Sequence, residues 1–259
     1  MKDIITAGFC ETGLKREKNQ DSYLIRTGCS ETGITGLFLV ADGIGGLEFG
    51  EEASRKVADS LDYWWHNTMP EKLKDAGRNG TSLMKDISQE FLFIVKTLHN
   101  EMKLRSERAR IQSGTTLSLL FIANAEYCIV HIGDSRIYKS GFFSFKLLTT
   151  DHNLSTEKYI TGKINKHQWM NYKDKNPLLQ CIGAGDAVSP QVITGKTRKG
   201  DKFFLCSDGV YKFIDEKTLA RLIKNTGTEK IKETLEEIRR IVYGNGATDN
   251  LTGIMVCCI

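Results

Sequence analysis

Aspartates stand at the ends of several apolar runs in this sequence. Asp42 follows the apolar residues 37–41 and precedes three glycines in four positions. Residues 203–213 repeat the pattern, with Asp208 and a glycine after another apolar run. Because an unpaired charge beside a core is costly, such a carboxylate usually meets a cation, a donor or water. Each Asp-Gly alone could also mark a turn, since this dipeptide is a common hairpin signal.

Three further aspartates occupy comparable positions. Asp134 follows a glycine after an apolar run, Asp249 precedes the last apolar run, and Asp21 stands at the start of an early one. Independent turns explain each case but not the shared pattern, so we favour neighbouring strands whose ends gather the carboxylates. Several carboxylates share a small volume only when cations neutralise them, and hard divalent ions prefer oxygen ligands. The sequence therefore predicts a cluster of Mg2+ or Mn2+ ions.

Histidine and cysteine patterns favour no other metal site. The five histidines show neither HExxH nor a paired helical spacing, so we expect His131 and His152 to be structural. The seven cysteines are odd in number and contain no CxxC spacing, which argues against a disulfide framework and a zinc knuckle. We expect most of them to be reduced core residues.

Composition indicates a globular protein with nearly balanced charge. The 259 residues are 40% hydrophobic and 26% charged, enough to bury one large core or two small ones. The net charge is only +4, and the one basic cluster, Lys103 to Arg110, is typical of a solvated helix end, so we expect no nucleic-acid partner. The chain also lacks a signal-like start and a membrane-length apolar run, which predicts a cytoplasmic protein with no membrane partner.

Periodicity predicts the elements that must position the aspartates. Helical spacing of apolar residues predicts two long helices, around residues 53–65 and 87–102. Short β-rich runs from Thr115 to about residue 149 predict an antiparallel meander. A third helix is predicted from Thr226, whose spacing to Glu229 fits a capping box, to Gly244. These elements favour an α+β layered fold, with residues 1–259 as a single domain.

Eight short motifs occur in an order that closely resembles the metal-dependent type 2C Ser/Thr protein phosphatases, in particular the compact bacterial members. The motifs are KREKNQD, VADGIGGLEFGEEAS, SGTT, IGDSRIY, LLTTDH, NPLLQCIG, FFLCSDGV and ATDNLT. The resemblance implies a four-layer α-β-β-α sandwich, in which two central antiparallel sheets are flanked by helical pairs. It also implies a two-metal site at one end of the sandwich.

The resemblance further implies a role for each candidate residue. For the metal ions, it implies that Asp42 bridges two of them, Gly43 offers its carbonyl, Asp208 and Asp249 hold one ion, Asp21 holds ordered metal water, and Asp134 with Asp208 offers a third, weaker site. Arg16 matches the phosphate-binding arginine, and we expect Arg16, Asp42, Asp208 and Asp249 to be the catalytic set.

The implied reaction is hydrolysis of phosphoserine and phosphothreonine in proteins phosphorylated by a Ser/Thr kinase. Two ions about 3.5 to 4 Å apart can deprotonate a bridging water for in-line attack, without a covalent enzyme intermediate. Arg16 would present a planar, permanently charged fork to the phosphate oxygens.

Two departures limit what the resemblance implies. Ile44 and Leu47 stand where many relatives carry a histidine, so no general acid is named for the leaving oxygen. Residues 155–176 fall where relatives carry a flap beside the active site, and we expect either substrate selection or a plain surface excursion there. Within this segment Trp169 is either a docking contact or the anchor that packs the loop down.

Two alternative functions have a basis in the sequence. Residues 10–16 read CETGLKR, which fits the CxxGxxR core of the cysteine-dependent phosphatases, with Cys10 as nucleophile and Arg16 as phosphate cradle. That reading lacks the flanking His and Ser or Thr, and it leaves the five aspartates unexplained. The other alternative is a non-catalytic phosphoprotein-binding module of the same fold, against which the full set of metal carboxylates argues.

Overall fold

Two five-stranded antiparallel sheets form the centre of the chain. The computed structural model describes residues 3–30, 33–44, 49–79, 82–142, 144–170, 172 and 176–259. The strands in these ranges are β1 (Ile4–Glu11), β2 (Asp21–Ser30), β3 (Gly33–Asp42), β4 (Leu117–Ala123), β5 (Glu126–Ile132), β6 (Arg136–Ser140), β7 (Phe145–Leu147), β8 (Gln191–Lys196), β9 (Lys202–Cys206) and β10 (Leu251–Cys258). The first sheet has the order β1-β10-β9-β6-β7, and the second has the order β2-β3-β4-β5-β8.

Helices lie between and after the strands. Within the described ranges they are α1 (Gly50–Asn67), α2 (Met69–Asn79), α3 (Leu83–Ala109), α4 (Leu154–Ile160), α5 (Lys166–Met170), α6 (Asp208–Tyr211), α7 (Glu216–Asn225) and α8 (Ile231–Gly244). The two long helices predicted from periodicity are confirmed as α1 and α3. No helix of the described ranges has both the length and the apolar character needed to cross a bilayer.

The prediction of a capping box at Thr226 is wrong. The last helix, α8, begins at Ile231 after a 3-10 turn at Thr228–Lys230, although it does end at Gly244 as predicted. The Thr226 hydroxyl instead donates to the Leu222 carbonyl at 2.7 Å, because Thr226 closes the C-terminal end of α7. A threonine hydroxyl can donate to a carbonyl at the end of one helix as readily as it accepts from an amide at the start of the next. The spacing of Thr226 and Glu229 therefore did not show which of the two helices Thr226 belongs to.

The layers are held together by three apolar clusters. Between the two sheets, Phe38 and Val40 of β3 pack in one cluster with Phe203 of β9 and Ile254 of β10. Alternate residues of β3, such as Leu39, point to the other face and pack with α1 to α3. Helices α7 and α8 cover the outer face of the first sheet. Because β3 is buried on both faces, its sequence is a continuous apolar run. This is the predicted four-layer α-β-β-α sandwich, and the single-domain assignment stays a prediction.

The predicted meander is only partly correct. Strands β4 and β5 pair with each other, as do β6 and β7, but β5 and β6 belong to different sheets. The chain crosses between the sheets at Gly133, Asp134 and Ser135, a stretch that resembles a hairpin turn in sequence. Gly133 has a φ of 101°, and a Cβ there would lie 2.5 Å from the Cγ2 of Thr116. The crossing therefore needs a residue without a side chain. It places Asp134 on the connection that leads from one sheet to the other.

We expect Gly133→Ala to destabilise the protein by about 1–3 kcal/mol more than Gly200→Ala does, because the new methyl group must displace Thr116. Gly200 has a similar φ of 90°, but a Cβ there meets nothing within 4 Å. It therefore controls for the cost of the left-handed backbone, which we expect to be about 1 kcal/mol. The measurement is urea unfolding of both variants. Equal losses would show that the crossing has room for a side chain.

Candidate active site

The predicted aspartates come from separate parts of the chain and meet at one edge of the sheets. Asp21 begins β2 and Asp42 ends β3, and they are direct partners in the antiparallel ladder. Asp208 is the first residue of α6, which follows β9 after Ser207. Asp249 lies two residues before β10. The ladder of the second sheet thus presents one pair of carboxylates, and the connections of the first sheet add the others.

Asp21 joins the two sheets through hydrogen bonds. Its Oδ2 accepts from the hydroxyl of Ser207 at 2.8 Å and from that of Thr252 at 2.6 Å. Thr252 belongs to β10, so a carboxylate of the second sheet is held by hydroxyls of the first. Burial, with further contributions from Asp208 and Asp249, raises the pKa of Asp21 to about 7 despite these hydrogen bonds.

Asp42 is repelled by all four of the other aspartates. Burial raises its pKa well above the usual range, and the charges of the four other aspartates raise it further, in the order Asp21, Asp208, Asp134 and Asp249. Since such effects fall off with distance, all five side chains share one electrostatic environment.

Asp134 contributes a buried carboxylate from the crossing between β5 and β6. Its side chain is almost fully enclosed, with the residue 6% exposed. Burial raises its pKa to about 7, and the nearby charge of Asp208 adds to the shift.

Among the described residues, two cations contact this acidic cluster. Arg16 forms a bidentate ion pair with Asp249, with Nε 2.8 Å from Oδ1 and Nη2 2.9 Å from Oδ2. Lys212 forms an ion pair with Asp208 one helical turn away. Each of these carboxylates is therefore neutralised by a side chain that reaches it from the solvent-exposed side.

The cluster fits divalent cations by its chemistry. In the described part of the chain, no three carboxylate, histidine or cysteine side chains converge as a finished ligand set. The Oδ1 atom of Asp21 is nevertheless buried and has no hydrogen-bond partner among the described residues. A buried, unpartnered carboxylate oxygen beside four like charges is stabilised by a bound cation, and an all-oxygen donor set suits Mg2+ or Mn2+.

Gly43 and Gly209 are required by the packing of the backbone. A Cβ on Gly43 would lie 2.4 Å from the Gly50 carbonyl oxygen, and one on Gly209 would lie 1.9 Å from that of Asn250. The glycine after each aspartate therefore lets two chain segments approach closely beside the site. The predicted use of the Gly43 carbonyl as a metal ligand stays a prediction.

Comparison with known families identifies the chain. Residues 15–251 match the family model described as Protein phosphatase 2C. The chain belongs to the protein phosphatase 2C family. Its "Serine/threonine phosphatase stp" relative from Listeria monocytogenes serotype 4b (strain F2365) is 31% identical over 220 residues, which cover 85% of this chain and 83% of that protein.

Solved phosphatase structures share the fold. The crystal structure of serine/threonine phosphatase Stp1 from Staphylococcus aureus matches with a TM-score of 0.83 and 22% identity, covering 100% of this chain and 97% of that one. The catalytic domain of the serine threonine protein phosphatase PstP, described as a complex with 2 manganese ions, matches with a TM-score of 0.75 and 22% identity over 98% of this chain and 97% of that one. Both likenesses support the layered sandwich expected of a type 2C phosphatase.

Several polar residues around this type 2C site were missed by the sequence reasoning. Ser207 and Thr252 hold Asp21, and the Asn250 side chain accepts from the amide of Gln20 at 2.9 Å. The same side chain donates to the carbonyls of Thr12 and Lys18, both at 2.9 Å, so it fixes the loop that carries Arg16. Their only sequence signal was adjacency to Asp208 and Asp249.

The histidines predicted to be structural are confirmed as such. The Nδ1 of His131 lies 2.9 Å from the Ser118 hydroxyl, and its Nε2 lies 3.1 Å from the Thr150 carbonyl oxygen. Burial lowers the pKa of His131 to about 3, so the ring is neutral. The Nδ1 of His152 accepts from the Gly133 amide at 3.3 Å, which helps to fix the crossing.

The environment of Cys10 argues against the cysteine-dependent alternative. Its thiol accepts a hydrogen bond from Asn19 and lies 3.2 Å from the Thr252 hydroxyl, and burial raises its pKa, whereas a nucleophilic cysteine needs a lowered one. The family match and these contacts both disfavour a thiolate mechanism.

The expected flap segment contains two short helices, α4 and α5. Trp169 stacks on Tyr159 with ring centroids 5.0 Å apart, and its Nε1 donates to the Thr156 hydroxyl at 3.0 Å. Trp169 is thus the anchor that packs this segment, one of the two roles expected for it. Leu47 and residues 171 and 173–175 lie outside the described residues.

We expect the metal-free protein to lose stability as the pH rises from about 4 to about 7. Between these values a carboxyl group with a raised folded-state pKa binds more protons in the folded state than in the unfolded one, so its contribution is present at low pH and lost above its folded pKa. For Asp21 this contribution amounts to up to about 4 kcal/mol.

Thermal melting in chelator at pH 5 and pH 8 checks this expectation. Asp21→Asn should make the decline with pH shallower, because the amide does not titrate and still accepts from Ser207 and Thr252. Saturating Mn2+ should remove most of the decline by stabilising the charged carboxylates. A melting temperature that rises with pH in chelator would contradict the raised pKa values of these carboxyl groups.

Proposed function

We propose that this type 2C phosphatase removes phosphate from phosphoserine and phosphothreonine in proteins, and that it requires Mn2+ or Mg2+. The observation that carries the proposal is the convergence of five aspartates, from five separate motifs, at one edge of the sandwich. Membership of the protein phosphatase 2C family supports the same reaction. The name of the Listeria relative, a serine/threonine phosphatase, supports the same amino-acid specificity.

The aspartates are proposed to hold the ions in the roles expected from the sequence. Asp42 is the ladder partner of Asp21 and is also acted on by the charges of Asp208, Asp134 and Asp249, which supports its proposed role as a bridging ligand. Asp208 and Asp249 would hold one ion, Asp21 would hold its ordered water, and Gly43 would offer its carbonyl. The two manganese ions described for PstP support a pair of ions here. When bound, such ions supply a water of lowered pKa and neutralise charge on the phosphoryl oxygens.

Arg16 is proposed to bind the phosphate. Its guanidinium is partly exposed and lies at Asp249, beside the carboxylate cluster. The planar guanidinium, which donates to two carboxylate oxygens of Asp249, has the geometry to donate to two phosphate oxygens. Asn250 positions this arginine by fixing the Thr12 and Lys18 carbonyls on either side of it.

The physiological substrates are proposed to be cytoplasmic proteins phosphorylated by a Ser/Thr kinase. All seven cysteines are free thiols, which suits a reducing compartment. A role at nucleic acid is not proposed, because residues of the basic cluster are used in ion pairs: Lys103 binds Asp186, and Arg105 binds Glu52. A membrane partner is not proposed either.

We expect phosphate release from phosphoserine and phosphothreonine peptides with Mn2+ or Mg2+, and none after exhaustive chelation. Asp249→Asn should lower turnover by several orders of magnitude, because it removes a carboxylate from the proposed ion. Asp208→Asn should do the same, and the double variant should add little, since both remove one ion.

Asp62→Asn is the matched control for Asp249→Asn. Asp62 also forms a bidentate pair with an arginine, Arg26, at 2.7 and 2.8 Å, but it lies on α1, away from the cluster. We expect its turnover to match that of the unsubstituted protein. Full activity in chelator would overturn the metal requirement, and phosphopeptide binding without turnover would favour the non-catalytic alternative.

Replacing Cys10 by Ser separates the two phosphatase mechanisms. We expect turnover to change less than about twofold, because a serine can keep the hydrogen bond from Asn19 and a thiolate nucleophile is not required. The measurement is phosphopeptide turnover with Mn2+, alongside a melting curve that shows the variant to be folded. Loss of activity in a folded variant would favour the cysteine-dependent alternative.

A further inference from the structure

Lys212 places a positive charge at the mouth of the acidic cluster. It follows the four residues of α6, and its backbone amide donates to the Asp208 carbonyl at 3.1 Å, which continues the helical turn. The turn brings the ammonium group into contact with Oδ2 of Asp208. The Lys212 side chain is 54% exposed and that of Asp208 is 15% exposed, so the lysine covers the carboxylate from the solvent side.

The same ammonium group also acts on carboxylates that it does not contact directly. Its strongest favourable interactions are with Asp208, then Asp134 and then Asp42. Asp134 depends on this charge because its carboxylate is buried, with the residue 6% exposed. Lys212 and Arg136 are the cations that favour its charged form.

Arg136 is mostly engaged elsewhere. It forms a bidentate ion pair with Asp151, at 2.7 Å for the shortest contact, and its guanidinium lies over the ring of Tyr211 at 3.7 Å. Lys212 is therefore the more available of the two cations for the Asp208 and Asp134 pair.

We propose that the Lys212 ammonium is the resident cation of the Asp208 and Asp134 pair, so that a divalent ion must displace it to bind between these two carboxylates. This inference rests on the proposed function, because it concerns ions beyond the two that the reaction needs. At a given concentration of divalent ions, Lys212 would then decide whether a third ion binds.

A purely structural role for Lys212 is the competing explanation. Exposed ion pairs four residues apart on a helix contribute little, and Arg55 with Glu51 on α1 is such a pair, at 2.9 Å. The two pairs differ in their surroundings. The acidic partner of Lys212 belongs to a cluster of five carboxylates, whereas the pair on α1 lies outside it. Arg55→Met is therefore the matched control for Lys212→Met.

The test is a binding isotherm for Mn2+ alone on the full chain, by equilibrium dialysis with the free ion measured by its electron paramagnetic resonance signal. We expect Lys212→Met to leave the two tight ions unchanged and to tighten the weakest one by roughly tenfold, because a like charge beside it is removed. Lys212→Arg should restore the weak binding, and Arg55→Met should change nothing. Adding Asp134→Asn to Lys212→Met should abolish the gain.

Each outcome bears on the inference. An unchanged weak site in folded Lys212→Met, or a gain that survives Asp134→Asn, would overturn it while leaving the proposed function in place. A loss of Mn2+ binding in Lys212→Met would also overturn it, since the lysine would then support the ions. If the unsubstituted protein bound no Mn2+ at all, the proposed function and this inference would fall together.

Discussion

Repulsion between like charges is the constraint on which the rest of this structure depends. Five carboxylates from distant parts of the chain share one edge of the sandwich, and they would separate if the backbone allowed it. The backbone does not allow it, because three apolar clusters fix the strands and helices behind them. Burial of those clusters supplies the free energy that holds the acids together. The fold is thus a means of storing electrostatic strain where a cation can relieve it.

The strain is moderated in three different ways. Asp21 is held by neutral hydroxyls, which stabilise its charge without cancelling it. Asp249 is matched by a planar guanidinium with two parallel hydrogen bonds, and Asp208 by a single flexible ammonium. A guanidinium binds two oxygens in one fixed planar geometry, whereas an ammonium group accepts many geometries, so the two cations suit different tasks. Both cations also act on Asp42, more weakly than on their own partners.

Much of this arrangement was predictable from sequence, and the failures have physical reasons. The long helices α1 and α3 have enough turns for their periodicity to be clear, and the strand-end aspartates repeat a visible pattern. Helix α7 was missed because it buries only two residues, Leu219 and Ile223, which is too few to establish a period. The crossing at Gly133 was mistaken for a hairpin because both need a glycine. The hydroxyls of Ser207 and Thr252 were missed because their partner is Asp21, about 190 and 230 residues away.

The segment that carries α4 and α5 has a consequence for how this family can diversify. Its internal contacts, the stack of Trp169 on Tyr159 and the hydrogen bond to Thr156, join residues of the segment to one another. A segment whose main aromatic contact joins two of its own residues can be replaced or reshaped without moving the central strands. Substitutions can therefore accumulate in this segment while the acidic edge of the sheets stays the same. The same property makes residues 155–170 a natural place to graft a recognition element by design.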